Sequence, residues 1–286
     1  MSLLETSIQQ GIAYQKVWRD LWKQISILPL LCERLKSTMI VWNLKIFLQN
    51  VHKNSIVLNT ILETLFHFNI ILIPEPPWSE IRKIPSSLNC NGDPLMGTCY
   101  HPNWISFARL PSNGNNPPRV ISYVNIHLKP FRFLFRKDLF DHRDINLISF
   151  ICNDTLHYIL NIYSDSSHSA LKYLKDTEVS ISQVLLMIGD FNIRDNLWDP
   201  LFPHHSSISD DLMMIVDLFD LALSSPINSG PTRFSDMVGE SNSVIDLMFL
   251  RCSSSELDRH SIHPNSRLSS DHAPLTVDIL ICEEII

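Results

Sequence analysis

The sequence is short of glycine and has no clustered cysteines. Its 286 residues include 7 glycines against 17 prolines, so most turns must depend on Asn, Asp, Ser and Pro. The six cysteines are scattered, without a Cys-x-x-Cys pair or a Cys/His cluster at zinc spacing. This spacing argues against a zinc site and predicts reduced, mostly buried thiols of an intracellular protein.

Long apolar runs and an excess of positive charge are also missing. No stretch approaches the roughly 18 consecutive apolar residues of a membrane span, and the N-terminus lacks the pattern of a secretory signal. A net charge of −7 argues against a protein that coats nucleic acid by bulk electrostatics, while leaving room for a local basic groove. We therefore expect a soluble intracellular globule whose 45% hydrophobic residues fill a core.

Apolar segments with strand character mix with helical patterns over residues 38–286. Strands with a few helices, and no strict β-α alternation, favour a two-layer β core with helices outside. Residues 1–37 carry no motif and are interpreted as an N-terminal extension, predicted to be helical. We expect strands near 38–43, 70–73, 120–127, 145–152, 156–163, 184–188, 245–250 and 275–281, and helices near 55–68, 166–175 and 210–221.

The segment Gly189-Asp190-Phe191-Asn192 follows an apolar strand-like run. In an extended segment, Asp190 and Asn192 point to the same side. A carboxylate can take a proton from water while an amide donates a hydrogen bond to an anionic oxygen. This pairing predicts a hydrolytic site at the end of the strand.

Other polar residues lie in or just after strand-like runs. Taken alone, Glu75 in a Pro-rich loop is more often a solvated charge, and Asn43 is a common type of residue at a strand end. Asp246 has apolar neighbours on both sides, which predicts a buried and paired carboxylate. Oxygen ligands without cysteine suit Mg²⁺ or Mn²⁺. The candidate residues are Asn43, Glu75, Asp190, Asn192, Asp246, Asp271 and His272.

The order of these motifs resembles the endonuclease/exonuclease/phosphatase superfamily, most closely the endonuclease domains of fungal LINE-type (non-LTR) retrotransposons. The resemblance implies a four-layered α/β/β/α sandwich of two mostly antiparallel sheets over 38–286. It depends on Ile73-Pro74-Glu75-Pro76-Pro77-Trp78, Asn161-Ile162-Tyr163-Ser164, Gly189-Asp190-Phe191-Asn192, Ser243-Val244-Ile245-Asp246-Leu247 and Ser270-Asp271-His272-Ala273-Pro274-Leu275.

The resemblance also implies a role for each matching residue. Glu75, with Asn43 and Asp271 nearby, would hold Mg²⁺ or Mn²⁺. Asp190 would deprotonate the attacking water, and Asn192 would hold Asp190 and the phosphate. His272, oriented by Asp246, would donate to a phosphate oxygen, with help from Tyr163. A tyrosine at this position favours the abasic-site endonuclease and retroelement branch over the branches that use histidine.

DNA contacts are predicted less directly. Thr232 and Arg233 match a segment that reaches DNA in related nucleases. Residues 129–143 interleave phenylalanines with basic residues. This pattern suits phosphate contact and base stacking, but an apolar face packed inward beneath a solvated basic face explains it better.

Three hypotheses remain open. The first is a metal-dependent DNA endonuclease that nicks duplex DNA, leaves a 3′-hydroxyl, and works in the nucleus, as a monomer. The second is a decayed retroelement domain that at most binds DNA. The third is a phosphomonoesterase or lipid phosphodiesterase of the same fold, against which Tyr163 counts.

Overall fold

The computed structural model describes residues 39–86, 89–111, 116–152, 154–177, 181, 183–224, 230–235, 239, 241–251 and 259–284. The predicted N-terminal extension, 1–37, lies outside this set. Contacts divide the chain into a unit Asn43–Ile281 and a second unit made of Met1–Trp42 and Cys282–Ile286. The first unit carries all the candidate residues.

The described elements follow one another as strands with three α-helices between them. Two short 3₁₀ helices, Ile126–Phe131 and Pro264–Ser266, add to these. In chain order the elements are β1 (Met39–Leu48), α1 (Ser55–Thr64), β2 (Ile70–Pro74), β3 (Ser79–Ser86), β4 (Asn89–Gly97), β5 (Trp104–Phe107), β6 (Val120–Asn125), β7 (Leu134–Phe135), β8 (Ile145–Cys152), β9 (Thr155–Tyr163), α2 (Ser169–Asp176), β10 (Val184–Asp190), α3 (Ser207–Leu218), β11 (Leu221–Leu223), β12 (Asp246–Arg251), β13 (Arg259–Ile262) and β14 (Leu275–Glu284).

The strands form two six-stranded sheets and one hairpin. The first sheet has the order β13-β14-β1-β2-β6-β5, the second has the order β11-β12-β10-β9-β8-β7, and β3 pairs with β4. The pairs β1/β2 and β9/β10 are parallel, whereas β2/β6, β8/β9 and β10/β12 are antiparallel. The prediction of two mostly antiparallel sheets is confirmed.

Three apolar clusters in the described residues separate four layers. One cluster lies between the sheets, where side chains of β1, β2 and β14 meet those of β8, β10 and β12. A second packs α1 on the outer face of the first sheet. A third packs α2 and α3 on the outer face of the second sheet. Strand β10 is buried along its whole length, because it is central and both of its faces are covered.

The predicted strands and helices are largely found, with one consequential difference. The first strand was expected to end at Asn43, but β1 continues to Leu48. Alternating apolar residues keep the segment 44–48 in the sheet, with Ile46 and Leu48 fully buried. No helix in the described part of the chain is long and apolar enough to cross a membrane.

Gly189 sets how closely β10 approaches β9. It pairs with Ile162, and a Cβ atom at position 189 would collide with backbone atoms of Ile162. A backbone atom cannot rotate away as the end of a side chain can. The absence of a side chain therefore lets β10 keep its register beside β9.

We expect Gly189→Ala to lower the free energy of unfolding by about 1–3 kcal/mol, because the strands must separate to admit the methyl group. Gly97→Ala is the matched control, since its Cβ would meet only the flexible side-chain end of Ile81. Denaturant unfolding monitored by circular dichroism measures both. Equal losses for the two variants would contradict the close approach at Gly189.

Candidate active site

Three candidate side chains form a row across the second sheet. Asp190 at the end of β10 pairs with Tyr163 on one side and with Asp246 on the other. Residues paired directly across strands project to the same face of a sheet. Asp190 is 1% exposed and Asp246 is 0% exposed, so two carboxylates lie side by side away from solvent.

His272 brings a compensating charge to this row from the turn that precedes β14. Its Nδ1 lies 2.9 Å from Oδ2 of Asp246. Its Nε2 lies 3.9 Å from Oδ2 of Asp190 and 3.9 Å from Oδ1 of Asp271. One imidazole therefore faces three carboxylates, and Asp246 is buried and paired as predicted.

The charges in this cluster strongly shift the pKa values of His272 and Asp190. Burial opposes a positive charge on His272, but Asp246, then Asp190 and Asp271, outweigh burial and raise the pKa of His272 to about 10. Burial and the charge of Asp246 raise the pKa of Asp190 to about 7, against the opposing effects of His272 and of hydrogen bonds from Asn50 and Asn192. His272 is therefore a cation at neutral pH, beside a carboxylate able to accept a proton there.

Glu75 joins the cluster through a residue that the sequence analysis did not select. Nδ2 of Asn50 donates to Oδ2 of Asp190 at 2.8 Å and to Oε2 of Glu75 at 3.2 Å. Glu75 follows the last residue of β2, as expected, with a left-handed φ of 45°.

Asn43 lies elsewhere. Its Nδ2 is 3.4 Å from Oδ2 of Asp278 at an exposed position, seven residues and therefore roughly 20 Å along β1 from Asn50. The structure does not bring it to the cluster. The predicted end of the first strand was wrong. The apolar residues alternate as far as Leu48, so the polar residue just after the strand is Asn50.

Asn192 supports Asp190 in a different way from the predicted one. Strand β10 ends at Asp190, and Asn192 has a left-handed φ of 51°, so the two side chains do not share one face of an extended segment. Instead the backbone N–H of Asn192 donates to Oδ1 of Asp190 at 3.0 Å. The side-chain Nδ2 of Asn192 donates to the carbonyl of Ser164 at 2.9 Å.

Tyr163 lies near Glu75 and Asp190, whose charges act on its hydroxyl. Burial, followed by the charges of Glu75 and Asp190, raises the pKa of Tyr163. The phenol thus keeps its proton at neutral pH and is a hydrogen-bond donor.

The Ser-Asp-His turn is tied to the end of β1 by further bonds that sequence reasoning missed. Oγ of Ser270 donates to the carbonyl of Asn50 at 2.6 Å and accepts from the backbone N–H of His272 at 3.1 Å. Nε2 of Gln49 donates to the carbonyl of His272 at 3.0 Å. These bonds hold Asn50 and His272 beside Asp190, where both face its Oδ2.

Thr232 is a structural residue rather than a DNA contact. It is 0% exposed, and its Oγ1 accepts hydrogen bonds from the backbone N–H groups of Ile245 and Asp246, at 3.0 and 2.9 Å. The prediction of a DNA contact through its side chain was wrong, because the side chain anchors the start of β12. Arg233 is partly exposed, and its Nε lies 3.4 Å from Oδ2 of Asp271, so its DNA contact stays a prediction.

The aromatic residues of 129–143 pack inward. Phe140 belongs to the cluster outside the second sheet, and Phe133 packs against the cluster between the sheets, stacked on Phe150 with ring centroids 4.9 Å apart. These rings are not a stacking platform for bases. The segment follows the alternative that the sequence analysis favoured.

The donors at this end of the sheet fit a hard divalent cation. The carboxylates of Glu75 and Asp190 both lie within 3.2 Å of one nitrogen of Asn50, and Asp271 adds a third carboxylate next to His272. Oxygen ligands of this kind suit Mg²⁺ or Mn²⁺.

Asp190, Asp246 and His272 also have potential ligand atoms within 4.8 Å of one another. Nδ1 of His272 is already engaged by Asp246, and an imidazolium has no lone pair for a metal. The side of the cluster that carries Glu75 is therefore the better metal site.

Comparisons with known proteins agree with this architecture. The family model described as Endonuclease-reverse transcriptase matches residues 141–276. A search of the curated proteins finds no match.

Solved structures with the same fold include the endonuclease domain of TRAS1, a telomere-specific non-LTR retrotransposon. It is 15% identical with a TM-score of 0.61, and the alignment covers 82% of this chain and 98% of that one. The AP endonuclease LMAP from Leishmania major is 11% identical with a TM-score of 0.52, over 85% of this chain and 88% of that one. The resemblance predicted from the motifs is confirmed.

The charge of His272 gives a testable titration. We expect its imidazole to stay protonated through pH 8 in the wild-type chain. In Asp246→Asn, we expect its pKa to fall from that of the wild type, because Asp246 makes the largest contribution against burial. NMR titration of the histidine ring signals measures this, with His272→Gln to assign the resonance. An unchanged pKa in Asp246→Asn would show that Asp246 does not hold the charge.

The ion pair of His272 and Asp246 also makes the free energy of unfolding depend on pH. Because the folded pKa of His272 lies above its ordinary value, its stabilising contribution is complete below pH 6.5 and is lost as the pH rises towards 10. Asp246→Asn should lose less stability than the wild type over this interval.

Proposed function

We propose that the chain is a metal-dependent DNA endonuclease of the endonuclease/exonuclease/phosphatase superfamily. It nicks duplex DNA, leaves a 3′-hydroxyl, and derives from a non-LTR retrotransposon. The family model matched over residues 141–276 and the fold shared with a retrotransposon endonuclease domain support this proposal. The placement of Asp190 beside both Asn50 and His272 is the observation that carries this proposal.

Asp190 is the proton acceptor. It is buried, its pKa is raised to about 7, and hydrogen bonds from Asn50 and from the backbone of Asn192 fix both of its oxygens. A carboxylate held in one orientation near neutral pKa can take a proton from an attacking water at physiological pH.

His272 and Tyr163 stabilise the phosphate in the transition state. The imidazolium presents its Nε2 proton, since Nδ1 is held by Asp246. The phenol of Tyr163 adds a neutral donor beside Glu75. Donors aimed in advance at the developing negative charge on the phosphate oxygens lower the barrier to attack.

Glu75, with Asp271 nearby, would hold Mg²⁺ or Mn²⁺, and Asn50 positions the Glu75 carboxylate. When bound, such an ion would supply charge neutralisation and polarisation of the phosphate oxygens. Asn43 has no part in this proposal, because it lies far along β1.

DNA is the proposed partner. Arg233 beside Asp271 and the exposed Lys53, whose backbone N–H donates to the carbonyl of Glu75 at 2.8 Å, put cationic side chains at the edge of an otherwise acidic protein. Phosphate contacts of this kind position a duplex without reading its sequence. Action in the nucleus, as a monomer, is part of the same proposal.

The activity is tested by incubating supercoiled plasmid with the full chain and Mg²⁺. We expect relaxation to the nicked form, inhibition by EDTA, and extension of the nick by a DNA polymerase that requires a 3′-hydroxyl. Asp190→Asn should slow nicking by at least ~100-fold, the typical contribution of a general base. Asp141→Asn is the matched control, because this carboxylate is exposed and pairs with Arg109 outside the site.

Absence of nicking in folded wild-type protein would overturn the proposal. DNA binding without cleavage would then favour a decayed domain, and release of phosphate from inositol phosphates would favour the phosphomonoesterase.

Asn43, within β1, and Asn50, two residues after β1, provide a second test. We expect Asn50→Ala to lower the nicking rate roughly 10–100-fold, because a group that orients metal ligands and the base is lost. Asn43→Ala should leave the rate within twofold of the wild type. Nicking rates at saturating Mg²⁺ compare them directly, and a larger effect at position 43 would contradict the assignment of Asn50.

A further inference from the structure

Arg119 contacts both Glu75, through its backbone, and Tyr163, through its guanidinium. We propose that Arg119 is a positioning residue that holds the Tyr163 ring and the Glu75 backbone in the relative placement that the reaction needs. The inference rests on the proposed function, because it assigns Arg119 to the same site.

The backbone of Arg119 fixes the position of Glu75. Arg119 directly precedes β6, and its carbonyl accepts a hydrogen bond from the backbone N–H of Glu75 at 2.7 Å. Its own N–H donates to the carbonyl of Arg143 at 2.8 Å. Glu75 has a left-handed φ of 45°, which is uncommon for a residue with a side chain. The bond from Arg119 stabilises the chain where it leaves β2 in this conformation.

The side chain of Arg119 fixes the ring of Tyr163. Its guanidinium carbon lies 4.9 Å from the centre of the Tyr163 ring, within the range of a cation–π contact. The guanidinium is itself held by both oxygens of Asp144 and by Oδ2 of Asp165, the latter at 2.9 Å. A planar cation bound on three sides has one orientation, and it closes one face of the ring.

Asp144 connects the guanidinium of Arg119 to β9, the strand that carries Tyr163. Its side chain is 0% exposed, and its carbonyl accepts a hydrogen bond from the backbone N–H of Tyr163 at 3.0 Å. The ring and the backbone of Tyr163 are thus held by one ion pair. Because the ring is held, the hydroxyl of Tyr163 is restricted in where it can lie beside Glu75.

A second arginine, packed on another tyrosine of β9, offers a matched comparison. The guanidinium carbon of Arg136 lies 5.6 Å from the centre of the Tyr158 ring, and its Nη2 pairs with Asp138 at 2.7 Å. Tyr158 is five residues before Tyr163 on the same strand. The two pairs share their chemistry, but only the pair of Arg119 lies beside Glu75.

The test is a double-mutant cycle on nicking kinetics. We expect Arg119→Met to lower kcat about tenfold with KM within twofold of the wild type. In a Tyr163→Phe background, where the hydroxyl is absent, the same substitution should change kcat by less than twofold. Arg136→Met should leave kcat unchanged in either background.

Removing Arg119 leaves Asp144 with fewer partners and endangers folding. Arg119→Lys is the second variant, because it retains a charge for Asp144 but cannot stack as a planar group or bind both carboxylate oxygens. We expect it to recover the unfolding free energy while kcat stays low. Recovery of kcat together with stability would reduce Arg119 to a structural residue and overturn the proposal, as would additive effects in the double-mutant cycle.

A readout without activity keeps this inference separate from the proposed function. In protein labelled with 3-fluorotyrosine, the ¹⁹F resonance of Tyr163, assigned with Tyr163→Phe, should shift in Arg119→Lys and stay unchanged in Arg136→Met. An unmoved resonance would overturn the contact. If the wild type does not nick DNA, the proposed function fails, and the ¹⁹F result alone decides whether Arg119 positions the ring.

Discussion

The register of β10 between β9 and β12 is the constraint on which the rest of the site depends. It sets Tyr163, Asp190 and Asp246 side by side at one end of the second sheet. A slip of β10 by one residue would turn Asp190 to the face opposite Tyr163 and Asp246. Gly189 permits the close approach of β9 that keeps this register, so the residue before the proposed base matters through its lack of a side chain.

Two buried acids in contact are unfavourable unless charge is supplied nearby, and the fold supplies it twice. His272 enters from the turn before β14 and compensates Asp246 and Asp190. Arg119 enters from the start of β6 and compensates Asp144. Removal of one partner from such a pair leaves the other charged and buried, which is more damaging than loss of the whole pair. The residues that make the site reactive are therefore also residues that the fold cannot lose singly without a loss of stability.

Much of this arrangement could be predicted from local sequence, and the failures have identifiable physical causes. Apolar runs ending in a polar residue located Glu75 and Asp190, because strand ends collect ligands. The same rule failed for Asn43, because β1 continues to Leu48 and the residue at the edge is Asn50. The side chain of Asn192 was expected to share a face with that of Asp190. This expectation failed because the sequence does not show that Asn192 has a left-handed backbone conformation. Thr232, Gln49 and Ser270 act through hydrogen bonds between segments distant in sequence, which no local pattern contains.

The bond between Ser270 and Asn50 joins residues 220 positions apart in the chain. Contacts of such high sequence separation require closure of a long loop, and they form late and slowly in folding. During synthesis, the carboxylates of β10 and β12 emerge well before the histidine that compensates them. A nascent or prematurely terminated chain that stops short of residue 270 would carry the acids of the site without their counter-charge. The codons of the Ser270-Asp271-His272 turn are therefore as important to the site as those of Gly189-Asp190-Phe191-Asn192.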